Sequence, residues 1–165
     1  MNATVTGTGT MTDLVALEPQ LPEPRPGWYV RPRLGGITAH LTAGADTVHE
    51  MRRLALTVLL AYGVDLETAR DAQLVLSELI GNAVRAGGAH VPLVVEVYTS
   101  SKDAVVSVHD PLAGVSPRRQ AVAPGDPEAE TGRGLVLLDV LAPGWTVTSS
   151  PVGKRIRCRI PAPAH

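Results

Sequence analysis

The chain has 165 residues, of which 44% are hydrophobic and 19% charged, a composition typical of a folded domain with a sizeable core. Its net charge of −1 argues against a nucleic-acid-binding protein, which usually carries a basic surface. Because it has a single cysteine, no apolar run of bilayer length and no secretory leader, we expect a cytoplasmic protein without membrane contact.

The N-terminal part is rich in threonine, glycine and proline, and it lacks helical or strand periodicity. We predict that residues 1–35 form a flexible tail and that residues 36–165 form the folded domain. The adjacent aromatic residues Trp28 and Tyr29 offer the tail one contact with the domain.

The folded domain is predicted to open with a strand and two helices. Residues 37–41 alternate between apolar and polar side chains, as a strand does. Asp46-Thr47 suits the N-cap of a helix that ends at Gly63. Asp65 suits the N-cap of a longer helix, which we predict to end at Ala86 before two glycines.

Two pairs of strands and one helix are predicted for the remainder. The predicted strands are residues 93–98, 104–109, 145–149 and 154–160, and the predicted helix is residues 132–141. Residues 111–131 contain four prolines and few apolar side chains, which predicts a mobile loop or lid. Helices on one face of hairpin-connected strands predict an α+β two-layer sandwich with a mixed, mostly antiparallel sheet.

The second helix carries the most informative pattern. Glu78 and Asn82 are four residues apart and therefore share one face, which Leu74 and Arg85 extend by a turn in each direction. An apolar stripe on another side of the helix suits the core. In an isolated helix such a polar face is more often simply solvated, so the motifs that follow decide its interpretation.

Three further motifs follow in a fixed order. Asp110 ends an apolar strand, and Gly114 comes four residues later. Gly132-Arg133-Gly134 opens an apolar helix, and Gly153-Lys154 begins the last strand. Each motif is common by itself, but the ordered set is much more specific than its members.

This ordered set resembles the ATP-binding domain shared by gyrases, histidine kinases, heat-shock chaperones and mismatch-repair ATPases. The strongest resemblance is to the single-domain anti-sigma-factor serine/threonine kinases of bacteria, whose helix typically reads Ser-Glu-Leu-x-x-Asn-Ala-Val-Arg/Lys. Residues 77–85 here read Ser-Glu-Leu-Ile-Gly-Asn-Ala-Val-Arg. The resemblance extends over about residues 36–160, which is most of the chain.

The resemblance implies a site for ATP and Mg²⁺. Asn82 would give an amide oxygen to the metal, Asp110 would accept a hydrogen bond from the amine of adenine, and Glu78 would be the catalytic base. Alternatively, Glu78 would orient a metal-bound water without base chemistry. Gly114 belongs to the first glycine box, usually Asp-x-Gly-x-Gly, which here reads Asp-Pro-Leu-Ala-Gly and so lacks its first glycine.

The phosphates would lie against the second glycine box. Gly132 and Gly134 allow a close approach of the backbone at a helix N-terminus, whose dipole favours anions. Arg133 would reach a phosphate or face water, and Arg85 would pair with Glu78 or with a phosphate. Lys154 would contribute only indirectly.

By this resemblance, the protein is a regulatory kinase that binds Mg-ATP, phosphorylates an antagonist protein and sequesters a sigma factor or a similar partner. A homodimer is compatible with that role. The altered first glycine box supports an alternative, a partner-switching binding module that holds nucleotide weakly or not at all. A purely structural α+β domain is a third interpretation. Glu78 and Asn82 favour the kinase, although fold resemblance alone does not decide function.

Overall fold

A computed structural model describes residues 19–112 and 129–164, with side chains in the second range from Leu135 onward. In chain order the elements are β1 (Trp28–Arg33), β2 (Gly36–Thr42), α1 (Ala45–Ala61), α2 (Leu66–Gly87), β3 (Pro92–Ser100), β4 (Asp103–Asp110), α3 (Ala129–Leu141), β5 (Thr146–Ser150) and β6 (Gly153–Ile160). The predicted α+β two-layer sandwich is confirmed. None of the helices in the described ranges combines the length and the apolar character needed to cross a bilayer.

The six strands form one sheet in the order β1-β2-β3-β4-β6-β5. Every neighbouring pair is antiparallel. The sheet is therefore antiparallel throughout, whereas the sequence predicted a mixed, mostly antiparallel one. Hairpins connect β1 to β2, β3 to β4 and β5 to β6, and helices connect β2 to β3 and β4 to β5. This topology brings the end of β4 beside the start of β6, where Asp110 is the register partner of Lys154.

The core lies between the sheet and the helices. Alternate residues of the central strands, among them Val95, Val97 and Val106, are fully buried and point toward the helical layer, in which α1 packs on β3 and α2 packs on β4. Helix α2 contributes a stripe of small and branched apolar side chains that includes Val75 and Leu79. Each fully buried side chain of this size contributes about 1.5–3 kcal/mol relative to an exposed one. This packing fixes which flank of α2 faces the end of β4.

Strand β1 corrects the predicted boundary between tail and domain. Trp28 and Val30 are buried against the core, and β1 pairs along its length with β2. Just before it, the guanidinium group of Arg25 lies over the Trp28 ring and forms a 2.7 Å ion pair with Glu50 of α1. The folded domain therefore begins before residue 36. Residues 1–18 lie outside the described residues, and the flexible tail stays a prediction for them.

The helix boundaries are close to those predicted, with two differences. Asp65 is the N-cap of α2, and its carboxylate accepts hydrogen bonds from the N–H (3.0 Å) and the hydroxyl (2.6 Å) of Thr68. The predicted cap of α1 at Asp46-Thr47 is wrong, because Gly44 is the N-cap and the Thr47 hydroxyl donates to the Thr42 carbonyl instead. Helix α3 begins at Ala129 and not at Gly132. Residues 113–128, which hold most of the predicted lid, lie outside the described residues.

Candidate functional site

The polar face of α2 borders its buried stripe. Glu78 and Asn82 are both half-buried, one turn apart, on the flank of the helix next to Val75 and Leu79. Within the described part of the chain, the Glu78 carboxylate has no hydrogen-bond or ion-pair partner. A half-buried carboxylate without a partner is available to a ligand, whereas a structural carboxylate at such depth is usually paired.

Arg85 packs back along the same face. Its Nη2 donates a hydrogen bond to the Asn82 side-chain oxygen, and a Cβ placed at Gly81 would be only 3.3 Å from its Nη1. Of the two partners considered for Arg85 from the sequence, Glu78 is not the one it contacts. An amide oxygen has two lone pairs, so the Asn82 oxygen retains acceptor capacity beside Arg85.

Asp110 is buried at the end of β4 and has a charged partner. Lys154 donates from Nζ to Asp110 Oδ1 at 3.2 Å and lies 3.1 Å from Oδ2, while the Leu112 N–H donates to Oδ1 at 2.9 Å. Only 2% of Asp110 and 5% of Lys154 is exposed. The sequence interpretation gave Lys154 an indirect role, whereas the structure places it in direct contact with the candidate adenine-binding carboxylate.

A regular alternation in the sequence of β6 could have revealed this contact. Lys154 is in phase with Ile156, Cys158 and Ile160, all of which are buried, while the arginines between them are exposed. Burial raises the pKa of the Cys158 thiol to about 12, which agrees with a bystander cysteine. Lys154 is therefore a core-facing cation, and it lies opposite the inward-facing Asp110.

Gly153 allows β6 to approach the Asp110 backbone. A Cβ on Gly153 would be 2.0 Å from the Asp110 carbonyl oxygen and 2.9 Å from Pro111 Cα. The φ angle of Gly153 is +141°, which L side chains rarely adopt. Glycine is thus required for the turn that delivers Lys154 to Asp110.

The C-terminal end of α2 lies against the same region. A Cβ at Gly87 would be 3.0 Å from Leu112 Cδ1, so the helix end packs on the segment that follows Asp110. Helix α3 packs on α2 through buried residues that include Leu135 and Leu138. The fold therefore brings the C-terminal end of α2, little more than one turn beyond Asn82, against the segment that follows Asp110 and its partner Lys154.

The second glycine box lies within α3 and does not precede it. Gly132 and Gly134 are in the first two turns of the helix, which begins at Ala129. The predicted opening of the helix by these glycines is therefore wrong by one turn. The side chain of Arg133 and all of Gly114 lie outside the described part of the structure, and their roles stay predictions.

The donor set fits a divalent metal whose other ligands come from a nucleotide and from water. In the described ranges, no group of three or more His, Cys, Asp or Glu side chains could hold a metal ion by itself. The Asn82 oxygen is a single neutral ligand, suited to Mg²⁺ that is otherwise surrounded by phosphate and water oxygens. The site thus fits Mg²⁺ as part of a nucleotide complex.

Comparison with known proteins identifies the family. The family model described as the histidine kinase-like ATPase domain matches residues 41–160, well over half of the chain. The chain belongs to this family. The histidine kinase-like ATPase assignment agrees with the fold and covers α2, β4, α3 and β6, and so supports the resemblance to ATP-binding domains. The finer resemblance to anti-sigma-factor kinases is not shown by it.

Two solved structures are similar to this ATPase domain. The blue-light activated histidine kinase EL346 of Erythrobacter litoralis is 23% identical with a TM-score of 0.43, and the match covers 60% of this chain and 32% of that one. The histidine kinase domain of the same protein is 20% identical with a TM-score of 0.43, covering 74% and 62%. The chain thus spans less than two thirds of either structure. A comparison with curated proteins found no match.

Proposed function

We propose that this domain binds Mg-ATP and transfers the terminal phosphate to a serine or threonine of a regulatory partner protein, in the manner of the anti-sigma-factor kinases. The family assignment supports nucleotide binding. The observation that carries the kinase proposal is the half-buried Glu78, one turn before Asn82, whose carboxylate has no partner among the described residues. The expected partners are an antagonist protein as substrate and a sigma factor that the domain sequesters. We assign the protein to the cytoplasm.

The residues have separate roles in this proposal. Asn82 gives its amide oxygen to Mg²⁺, which when bound neutralises phosphate charge. Glu78 accepts the proton of the attacking hydroxyl, since a weak base suffices once the phosphates are held in place. Asp110 binds the base, Arg85 and Arg133 pair with phosphates, and the backbone of Gly132 and Gly134 contacts the phosphates, with Gly114 at the rim.

The alternative is a partner-switching module that holds nucleotide weakly or not at all. The observation that favours it is the ion pair between Asp110 and Lys154, because a ligand base must share a carboxylate that already has a cation. The missing first glycine of the box after Asp110 points the same way. In this case the domain acts on its partner by contact alone.

Replacement of Glu78 by Gln tests the kinase proposal. This change preserves shape and hydrogen bonding but removes the basicity of the carboxylate. With labelled ATP and candidate antagonist proteins, we expect phosphoryl transfer to fall about 10²-fold or more while ATP affinity changes by a few-fold at most.

Glu67→Gln, in the exposed first turn of the same helix, is the matched control and should transfer phosphate at the parent rate. Transfer by Glu78→Gln at the parent rate would reject Glu78 as the base. A parent protein that captures its partner without any transfer would establish the binding module.

A further inference from the structure

We infer that Asp110 and Lys154 together read the 6-position of a purine, so that the site accepts 6-oxo as well as 6-amino purine nucleoside triphosphates. This inference rests on the proposed nucleotide site and deepens it. Of the two 6-substituents, a lone carboxylate accepts a hydrogen bond from the amino group and not from the oxo group. The buried pair offers an acceptor and a donor at one place.

The acceptor is Oδ2 of Asp110, the carboxylate oxygen with fewer partners. Oδ1 already receives the Lys154 ammonium group and the Leu112 N–H, whereas Oδ2 has the ammonium group alone, 3.1 Å away. Because each carboxylate oxygen has two lone pairs, Oδ2 retains an acceptor position. A purine 6-amino group facing it can donate there.

The donor is the Lys154 ammonium group. It contacts the two oxygens of Asp110 and no other acceptor among the described residues, which leaves one of its three N–H bonds without a partner there. A 6-oxo group at the same place can accept from that N–H. Without Lys154, the same oxo group would face a carboxylate and be repelled.

The pair is held too firmly for its donor to move far away. Both side chains are almost fully buried, and their strands are directly paired at this position. The close approach at Gly153 fixes the backbone of β6 against that of β4. Because the pair is buried and desolvated, gaining or losing one of its hydrogen bonds changes the binding affinity more than the same change would in water.

The parent protein gives the first test through a series of nucleotides that differ at the 6-position. We expect ATP and ITP to bind in the presence of Mg²⁺ with dissociation constants within about threefold. A purine riboside triphosphate without any 6-substituent loses the charge-assisted hydrogen bond and should bind about 10-fold more weakly. Titration calorimetry measures all three.

Lys154→Met gives the second test, with Lys102→Met in the exposed turn between β3 and β4 as its matched control. In Lys154→Met the preference for ATP over ITP should rise to about 10-fold, and Lys102→Met should keep the parent ratio. Circular dichroism checks folding, because the variant leaves Asp110 buried without its cation. If it does not fold, the nucleotide series on the parent protein still decides.

The outcomes separate this inference from the proposed function. A parent protein that binds ATP about 10-fold more tightly than ITP contradicts the inference and leaves the ATP-binding proposal intact. Equal affinities that persist in a folded Lys154→Met variant also contradict it. If none of the three nucleotides binds, the proposed nucleotide site is wrong, and the inference is wrong with it.

Discussion

At the scale of single residues, Gly153 makes a backbone contact at the candidate site that leaves no room for a side chain. Gly153 adopts a φ of +141° while its hydrogen atoms face the Asp110 carbonyl group. The turn that begins β6 therefore depends on the absence of a Cβ. Gly63, after α1, also has a positive φ (+84°), but it has open space around it. Comparing substitutions at the two glycines separates the cost of an unfavourable φ angle from the cost of a steric clash.

Gly153→Ala should lower the free energy of unfolding by about 3 kcal/mol or more, because it adds a backbone clash to an unfavourable φ. Gly63→Ala should cost only about 1 kcal/mol, because it has the conformational term alone. Urea denaturation of the two variants gives the comparison. Equal losses would mean that the strands can separate at Gly153 without cost.

At the scale of elements, α2 places the site residues, and its N-terminus is anchored by Asp65. Hydrogen bonds from the side chain and the backbone of Thr68 lower the pKa of the Asp65 carboxyl group below its ordinary value of 3.8. A lowered folded-state pKa means that the stabilisation is present above pH 3.8 and is lost as the pH falls through the folded pKa. The cap therefore acts at neutral pH.

Asp65→Ala should lower the melting temperature at pH 7, since α2 loses its N-cap. Asp46→Ala, in the first turn of α1, should have a smaller effect because Asp46 is not a cap. The difference between Asp65→Ala and the parent should shrink when the measurement is repeated below pH 3.8. A difference that is unchanged at acid pH would show that the charged carboxylate is not its source.

The elements differ in how well the sequence predicts them. Helix α2 is predicted almost to the residue, because its cap, apolar stripe and terminal glycines agree. Strand β1 is missed because its proline and two arginines hide a short alternation in which only Trp28 and Val30 are buried. The pairing of Asp110 with Lys154 joins residues 44 positions apart, and a sequence pattern indicates only that both face inward.

At the scale of the whole molecule, the sheet has helices on one face and a polar second face. The arginines of that face are Arg31, Arg33, Arg155, Arg157 and Arg159, of which Arg33 is half-buried and the others are exposed. Arg33 forms a 2.8 Å ion pair with Glu96 and stacks 3.8 Å from the centre of the Tyr98 ring. Arginine stems cover apolar surface while their charged ends stay hydrated, as Arg33 does on Tyr98. This is the solvated strand face expected of a two-layer sandwich.

Strand β1 supplies part of the core to this sandwich, which predicts how far the chain can be shortened. A chain that starts at residue 19 should fold like the parent, because β1 and the Arg25–Glu50 ion pair are retained. A chain that starts at residue 36 loses buried Trp28 and Val30 and should be several kcal/mol less stable or unfolded. Thermal unfolding of both chains gives the answer. Equal stability would restore the boundary predicted from the sequence.

The proposed function requires that the polar face of α2 binds Mg-ATP. Asn82→Ala removes the proposed metal ligand, and Gln73→Ala removes another side-chain amide of α2, one that donates to the Arg52 carbonyl of α1. Calorimetric titration of Mg-ATP into the parent and the two variants is the most direct test. We predict that the parent and Gln73→Ala bind alike and that Asn82→Ala binds at least ~10-fold more weakly, a loss of about 1.4 kcal/mol. Parent protein that does not bind Mg-ATP, or Asn82→Ala that binds it as tightly as the parent, would contradict the claim.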